Sequence, residues 1–315
     1  MGAKVTALAA LAAYYVPVIS LGTWRSDRRG RSRKKLPGPH RDGNGEAAKA
    51  DGNYSISLRL FLANREVPLL LALCSMTAAW GGGGYLCGTA EAVFKNGLLS
   101  VQAPLGYAIS LLLGGRFFSH KMRSTRSVTM LDPLQQLYGR WMGPLLCVPA
   151  LFGELFWTAA ALAALGDSAE VIGDLNGTAC IVACLLLTMS YTTMGGLNSV
   201  VQTDAVQLCA TIIGLWICVP FCITNDASGI IDVSETTANR LTFPDVTQLV
   251  DNFLSFVCGG IPRQVYFQRV LSSSSLFNAK MFSYISAIGC LLLAVPPIII
   301  GTVSRTASKD SHTRI

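Results

Sequence analysis

The sequence predicts an all-α, polytopic membrane protein of about eight spanning helices. Three observations carry that prediction. Hydrophobic residues make up 51% of the 315 and charged residues only 14%, where soluble domains carry about 25% charge. The mean hydropathy is +0.45. The charges gather in short blocks between long apolar runs, the pattern of a chain that crosses a bilayer repeatedly. A soluble enzyme, a disordered chain and a nucleic-acid module are excluded on the same grounds, despite a net charge of +7.

Taken in order, the apolar runs are Val5–Trp24, Val67–Phe94, Leu98–Phe118, Pro144–Leu165, Thr178–Met194, Val200–Ile223, Val246–Ile261 and Met281–Val303. Most approach the ~20 residues that span the hydrocarbon. The first has one Lys before it, a basic run after it and too long an apolar stretch for a signal peptide. The seventh is short and carries Asp251, but the basic residues require it. With the N-terminus outside, inner loops hold eleven Lys/Arg (Arg25–Arg65), five (Arg116–Arg140) and three (Arg263–Lys280), whereas the outer loops at Gly166–Gly177 and Thr224–Asp245 hold none and one. This is the positive-inside asymmetry. The domain reading follows: 1–24 an accessory helix, 25–66 a basic cytoplasmic loop, 67–303 the transmembrane domain and 304–315 a tail. The run RRGRSRKK (Arg28–Lys35) lies between two spans and reads as an orientation signal that contacts anionic lipid head groups. The ten cysteines all fall inside these apolar runs, where small buried packing is expected, and no cysteine/histidine cluster suggests a metal.

Two spans contain helix-breaking sequence. Gly81–Gly84 interrupts the second, and each glycine costs about 1 kcal/mol in a helix interior relative to alanine. Gly259, Gly260 and Pro262 interrupt the seventh. Unwound backbone at membrane depth persists only where it is buried in protein or lines a watery cavity. With the first span set aside as accessory, the breaks fall in core helices one and six. That is the arrangement of two inverted five-helix repeats whose broken helices meet at a midplane site, the LeuT-type architecture.

Polar and aromatic residues cluster near these breaks. Glu154, inside the fourth span, is either a functional carboxylate or a packing residue, and Trp157 follows on the same helical face. Trp80 abuts the glycine break and Tyr107 lies in the next span. Each is either a lipid-facing or core ring, or one wall of an aromatic box for a quaternary ammonium, a cation with no hydrogen to donate. Asp204 is the charge between Thr178 and Ile223. With Glu154 it is a candidate polar relay.

These residues lie in strings that resemble the sodium:solute symporter family. YTTMGGLNSVVQTDAVQL resembles that family's signature. MTAAWGGGGYLCGTAEAVF, VQAPLGYAISLLLGGRFF, PALFGELFW and GGIPRQVYFQRVLSSSS resemble its choline-carrying members, from about Ser75 to Val303. The resemblance implies plasma-membrane uptake of choline that is driven by sodium, depends on chloride and supplies acetylcholine synthesis in presynaptic cholinergic terminals. A homo-oligomer is left open, and the lipid bilayer is the remaining partner. It places Trp80, Tyr107 and Trp157 around the ammonium, and the backbone carbonyls of Ala78 and Gly81 at a sodium ion. Against the family pattern, Arg263 stands where a tryptophan closes the box, Cys87 where asparagine is usual and Gly81 where valine is usual. After Val303 the match stops, so core helices eight to ten are expected to be missing. The competing function is a non-transporting membrane protein that associates with a full-length transporter and modulates it.

The charge asymmetry yields a test. Of the two glycosylation sequons, Asn176-Gly-Thr is expected outside and Asn53-Tyr-Ser inside. Peptide mapping of the expressed chain should find glycan on Asn176, and glycan on Asn53 instead would invert every loop.

Overall fold

The computed structural model describes residues 45–173, 176–224 and 243–313. The first expected span and residues 25–44 of the basic loop lie outside them. Among the described residues the helices run, in order, α1 (Gly45–Leu62), α2 (Leu69–Trp80), α3 (Gly83–Asn96), α4 (Ala103–Leu113), α5 (Ser119–Thr125), α6 (Asp132–Tyr138), α7 (Met142–Gly173), α8 (Gly177–Ile223), α9 (Phe243–Gly260), α10 (Gln264–Ser272) and α11 (Leu276–Thr313). A π-helical turn at Gly114–Phe118 joins α4 to α5. The β pairing found among these residues is one isolated parallel bridge, Val67 to Ser273.

Among the described residues, four helices are long and apolar enough to cross a membrane: Leu98–Thr125, Met142–Val171, Gly195–Ile223 and Leu276–Ala307. The pair α2 and α3 adds a fifth as a span bent by 49°. Gly177–Ser190 is apolar but shorter. The expected seventh span, Val246–Ile261, is helical as α9, but α9 is not among the helices apolar enough to cross a membrane, and the break after Gly260 leaves its continuation to the separate, nine-residue α10. The expected basic loop is helical from Gly45 onward, because the apolar end of α1 has somewhere to pack. Leu62 is fully buried, and Gln268 of α10 donates to the Phe61 carbonyl at 3.1 Å.

The organising element is α11, which packs against α2, α3, α4 and α8. Its inward face carries Ala279, Ser283, Ser286, Cys290 and Ala294, all buried. Their spacing of three and four residues puts them on one side of a helix, and their small size lets neighbouring backbones come close. That face also supplies hydrogen-bond partners to the pieces of the broken helices. Ser286 donates to the Leu73 carbonyl of α2 (3.3 Å), Tyr85 of α3 donates to the Cys290 carbonyl (2.9 Å), and Tyr266 of α10 pairs with Ser283 (3.1 Å). Residues Ser304–Thr313 prolong α11 without interruption, and Arg305 donates from there to the Val93 and Phe94 carbonyls of α3, each at 3.2 Å.

Two glycines meet different constraints. Gly81 has an ordinary backbone (φ −85°), and a Cβ there would meet only the tip of the Leu293 side chain of α11, which can turn aside. Gly196 has φ +59° inside α8, a left-handed conformation that costs a residue with a Cβ. It turns the chain between the Gly177–Ser190 and Gly195–Ile223 segments, and a Cβ there would meet the Leu60 carbonyl at 2.7 Å. The cysteine expectation needs correction. All ten thiols are free, but Cys290 alone is buried while Cys87, Cys209, Cys218 and Cys258 are exposed. A membrane helix is apolar on every side, so hydropathy does not reveal which face is packed.

A buried ion pair ties α2, α8 and α10 together. Arg269, 5% exposed, donates from Nη2 to Asp204 Oδ2 at 2.9 Å and from Nε to Ser75 Oγ at 2.8 Å. Ser75 in turn donates its hydroxyl proton to Asp204. A third bond runs from Arg269 Nη1 to the Val265 carbonyl at 3.3 Å. Removing one member of such a pair leaves a buried charge without compensation, typically about 3–5 kcal/mol. Arg269→Ala and Asp204→Asn should each lower the unfolding midpoint of detergent-purified chain sharply. The double variant should lose much less than the sum, and additive losses would show that the two side chains do not act as a pair.

Candidate functional site

The two breaks face each other across the bundle. α2 ends at Trp80 and α3 begins at Gly83, while α9 ends at Gly260 and α10 begins at Gln264. Trp80 is fully buried at the first break. Its ring makes edge contacts with Tyr107 of α4 (centroids 6.4 Å apart) and Tyr266 of α10 (6.3 Å). Tyr107 is the hub. It meets Trp157 of α7 at 6.1 Å, Phe256 of α9 at 5.2 Å and Tyr85 of α3 at 6.1 Å. The structure therefore brings Trp80, Tyr107 and Trp157 into one cluster. It adds Tyr85, Phe256 and Tyr266, which the sequence reading did not single out. Their signal was present: Tyr85 is five residues past Trp80, Phe256 one helical turn before Gly260 and Tyr266 three residues past Arg263.

Arg263 lies inside this cluster. Residues Ile261–Arg263 leave the helix, and Arg263 takes an extended backbone (φ −66°, ψ 130°) at the start of α10. From there its guanidinium carbon stands 4.0 Å from the Trp157 ring centre and 5.0 Å from that of Trp80. Both lie within cation–π range, where each contact contributes roughly 0.5–2 kcal/mol. Glu154 sits one helical turn before Trp157, and its carboxylate is 3.7 Å from Arg263 Nη2. Arg263 Nη1 is buried without an acceptor, as is Trp80 Nε1. The side chain thus turns into the box, where its charge fills the position that the rings would offer to a cation.

Two cavities meet at these rings. One of about 230 Å³ is bounded by α3, the start of α4 and α7. The other, about 550 Å³, lies toward α6 and the start of α7 and reaches Arg263 and Glu154. Tyr107, Trp157 and Phe256 line both. The carbonyl-bearing residues Ala78 and Gly81 line a third space of about 530 Å³ between the first break, α7 and α8, with Cys87 beside them. Helix α2 stops at Trp80, where the Gly81 amide still donates to the Thr77 carbonyl at 2.9 Å, and the carbonyls after Thr77 lie in the last turn, beyond the helix's own amides. Glu154 and Asp204 are not joined. Each is paired with its own arginine, Arg263 and Arg269. Asn176 is exposed at the start of α8, where its Oδ1 accepts from the Ala179 amide at 3.2 Å. The Nδ2 atom that would carry a glycan is not the one used in this cap.

The family model for "Sodium:solute symporter family" matches residues 60–308. The chain belongs to the sodium:solute symporter family. Among similar proteins, the high-affinity choline transporter 1 of Caenorhabditis elegans is 41% identical over 309 residues, covering 96% of this chain and 50% of that protein. The human high affinity choline transporter 1 is 41% identical over 321 residues, with 98% and 52% covered. The chain spans about half the length of the curated relatives it matches. A solved structure of a sodium-coupled sialic acid symporter, in a substrate-bound outward-open state, superposes with a TM-score of 0.73 at 16% identity, covering 98% of this chain and 62% of that one. With its broken helices facing each other, the chain has the LeuT-type fold that its sequence pattern predicts.

Proposed function

We propose that this chain forms the solute site of a sodium-coupled, chloride-dependent plasma-membrane symporter for choline or a close quaternary ammonium relative. By resemblance, the uptake serves acetylcholine synthesis at cholinergic terminals. The observation that carries the solute class is the guanidinium between Trp80 and Trp157. The side chains already hold an organic cation by ring faces, beside a carboxylate. Sodium is assigned to the Ala78 and Gly81 carbonyls, supported by the helix end and the adjoining space.

In this reading Arg263 works against choline. Both cannot occupy the same ring faces. Two unit charges ~4 Å apart repel by about 4 kcal/mol at an effective dielectric of ~20, which is close to a thousandfold in affinity. With a relative's C-terminal half appended, Arg263→Trp should lower the half-saturation concentration for sodium-dependent choline uptake by tenfold or more. High-affinity uptake by the arginine form would take this residue out of the box's energetics. In the Arg263→Trp background, Trp80→Ala should raise that concentration about tenfold, the loss of ~1.4 kcal/mol of ring contact. Unchanged kinetics would remove Trp80 from the site.

The occupied box also favours a second reading, a non-transporting chain that associates with a full-length transporter. Co-purification with such a transporter, accompanied by no choline uptake from either the arginine or the tryptophan form, would select it.

A further inference from the structure

An arginine within an aromatic box changes what else the box accepts. The carboxylate in ion-pair range of Arg263 is Glu154, at 3.7 Å, beyond hydrogen-bond length. Nη1 is buried without an acceptor. A guanidinium presents its five N–H donors in a planar fork that matches a carboxylate, and a buried donor left unmade is unfavourable. The 550 Å³ cavity is lined by Arg263, whose Nη1 is buried behind the cavity wall, and by Met130, Leu134 and Pro149 on its apolar side. Tyr107, Trp157 and Phe256 also present surface to that cavity. So the open space adjoins both a guanidinium side chain that still has a donor unmade and aromatic rings.

Charge balance then separates ligand classes. Arg263 and Glu154 cancel each other. Choline brings a further positive charge and no counter-charge, whereas a ligand with its own carboxylate adds none and supplies the missing acceptor. Resting on the reading of the box as the solute site, we infer that this chain takes a quaternary ammonium bearing its own carboxylate, a betaine. The carboxylate lies on the Arg263 fork. The methylated nitrogen lies on the ring surfaces that Tyr107, Trp157 and Phe256 turn toward the cavity.

The test is equilibrium binding of radiolabelled glycine betaine and radiolabelled choline, in sodium buffer, to the full chain purified in detergent. Unchanged elution volume and unfolding midpoint first establish that each variant is folded. Wild type should bind glycine betaine at least tenfold more tightly than choline. Arg263→Gln should bring the ratio of the two dissociation constants close to one, and Arg263→Trp should reverse it in favour of choline. Arg263→Lys keeps the charge without the fork and should retain part of the preference. If wild type prefers choline, or if Arg263→Gln leaves the preference intact, the inference is overturned while the aromatic box stands. If none of the folded proteins binds either ligand, the box is not the solute site and both readings fall together.

Discussion

A helix that stops inside an apolar bundle leaves carbonyls and amides without helical partners, and this chain stops one twice, at Gly81–Gly82 and at Ile261–Arg263. Water cannot pay that cost in a bilayer, so the surrounding protein must. Here the response is α11. Its small-residue face comes close enough to accept from Tyr85, pair with Tyr266 and donate to the Leu73 carbonyl. Fragments of both broken helices are thus referenced to one unbroken post, which is why side chains distant in sequence converge on one set of rings.

Two arginines six residues apart show what that convergence does to charge. Arg269 lies on α10 with its guanidinium committed to Asp204, Ser75 and the Val265 carbonyl. It is a fastener between three helices. Arg263 precedes the same helix, outside its hydrogen-bonded turns, and rests on ring faces with one carboxylate nearby and one donor unused. The difference follows from position. A residue on the helix interior side inherits neighbours from the packing, while a residue in the unwound link is aimed into whatever space the break has opened.

Much of this was legible in the sequence. Glycines at 81–84 and the Gly-Gly-Ile-Pro run marked the two breaks, and their offset indicated that they meet. The family pattern placed Arg263 at the box. Other features left no local trace. Arg269 and Asp204 lie 65 residues apart, and nothing in either neighbourhood encodes the other. Tyr85, Phe256 and Tyr266 were ordinary membrane aromatics until the fold aimed them inward. The cysteines misled because a sequence apolar on every side of a helix gives no phase. Helix α1 was hidden in a loop reading because its apolar positions gain a partner only when α8 and α10 are in place.

Tyr107, Trp157 and Phe256 line both cavities, so their side chains form a layer where the two spaces meet. Where water enters both, a membrane voltage no longer falls evenly across the protein. It concentrates over that layer, at about 2.3 kcal/mol per elementary charge per 100 mV for a full crossing. Arg263 and Glu154 sit at this layer with opposite charges. Moved together they feel almost no net electrical force. Moving the guanidinium away from its carboxylate would separate charge within that layer and cost electrical work that moving the pair together does not.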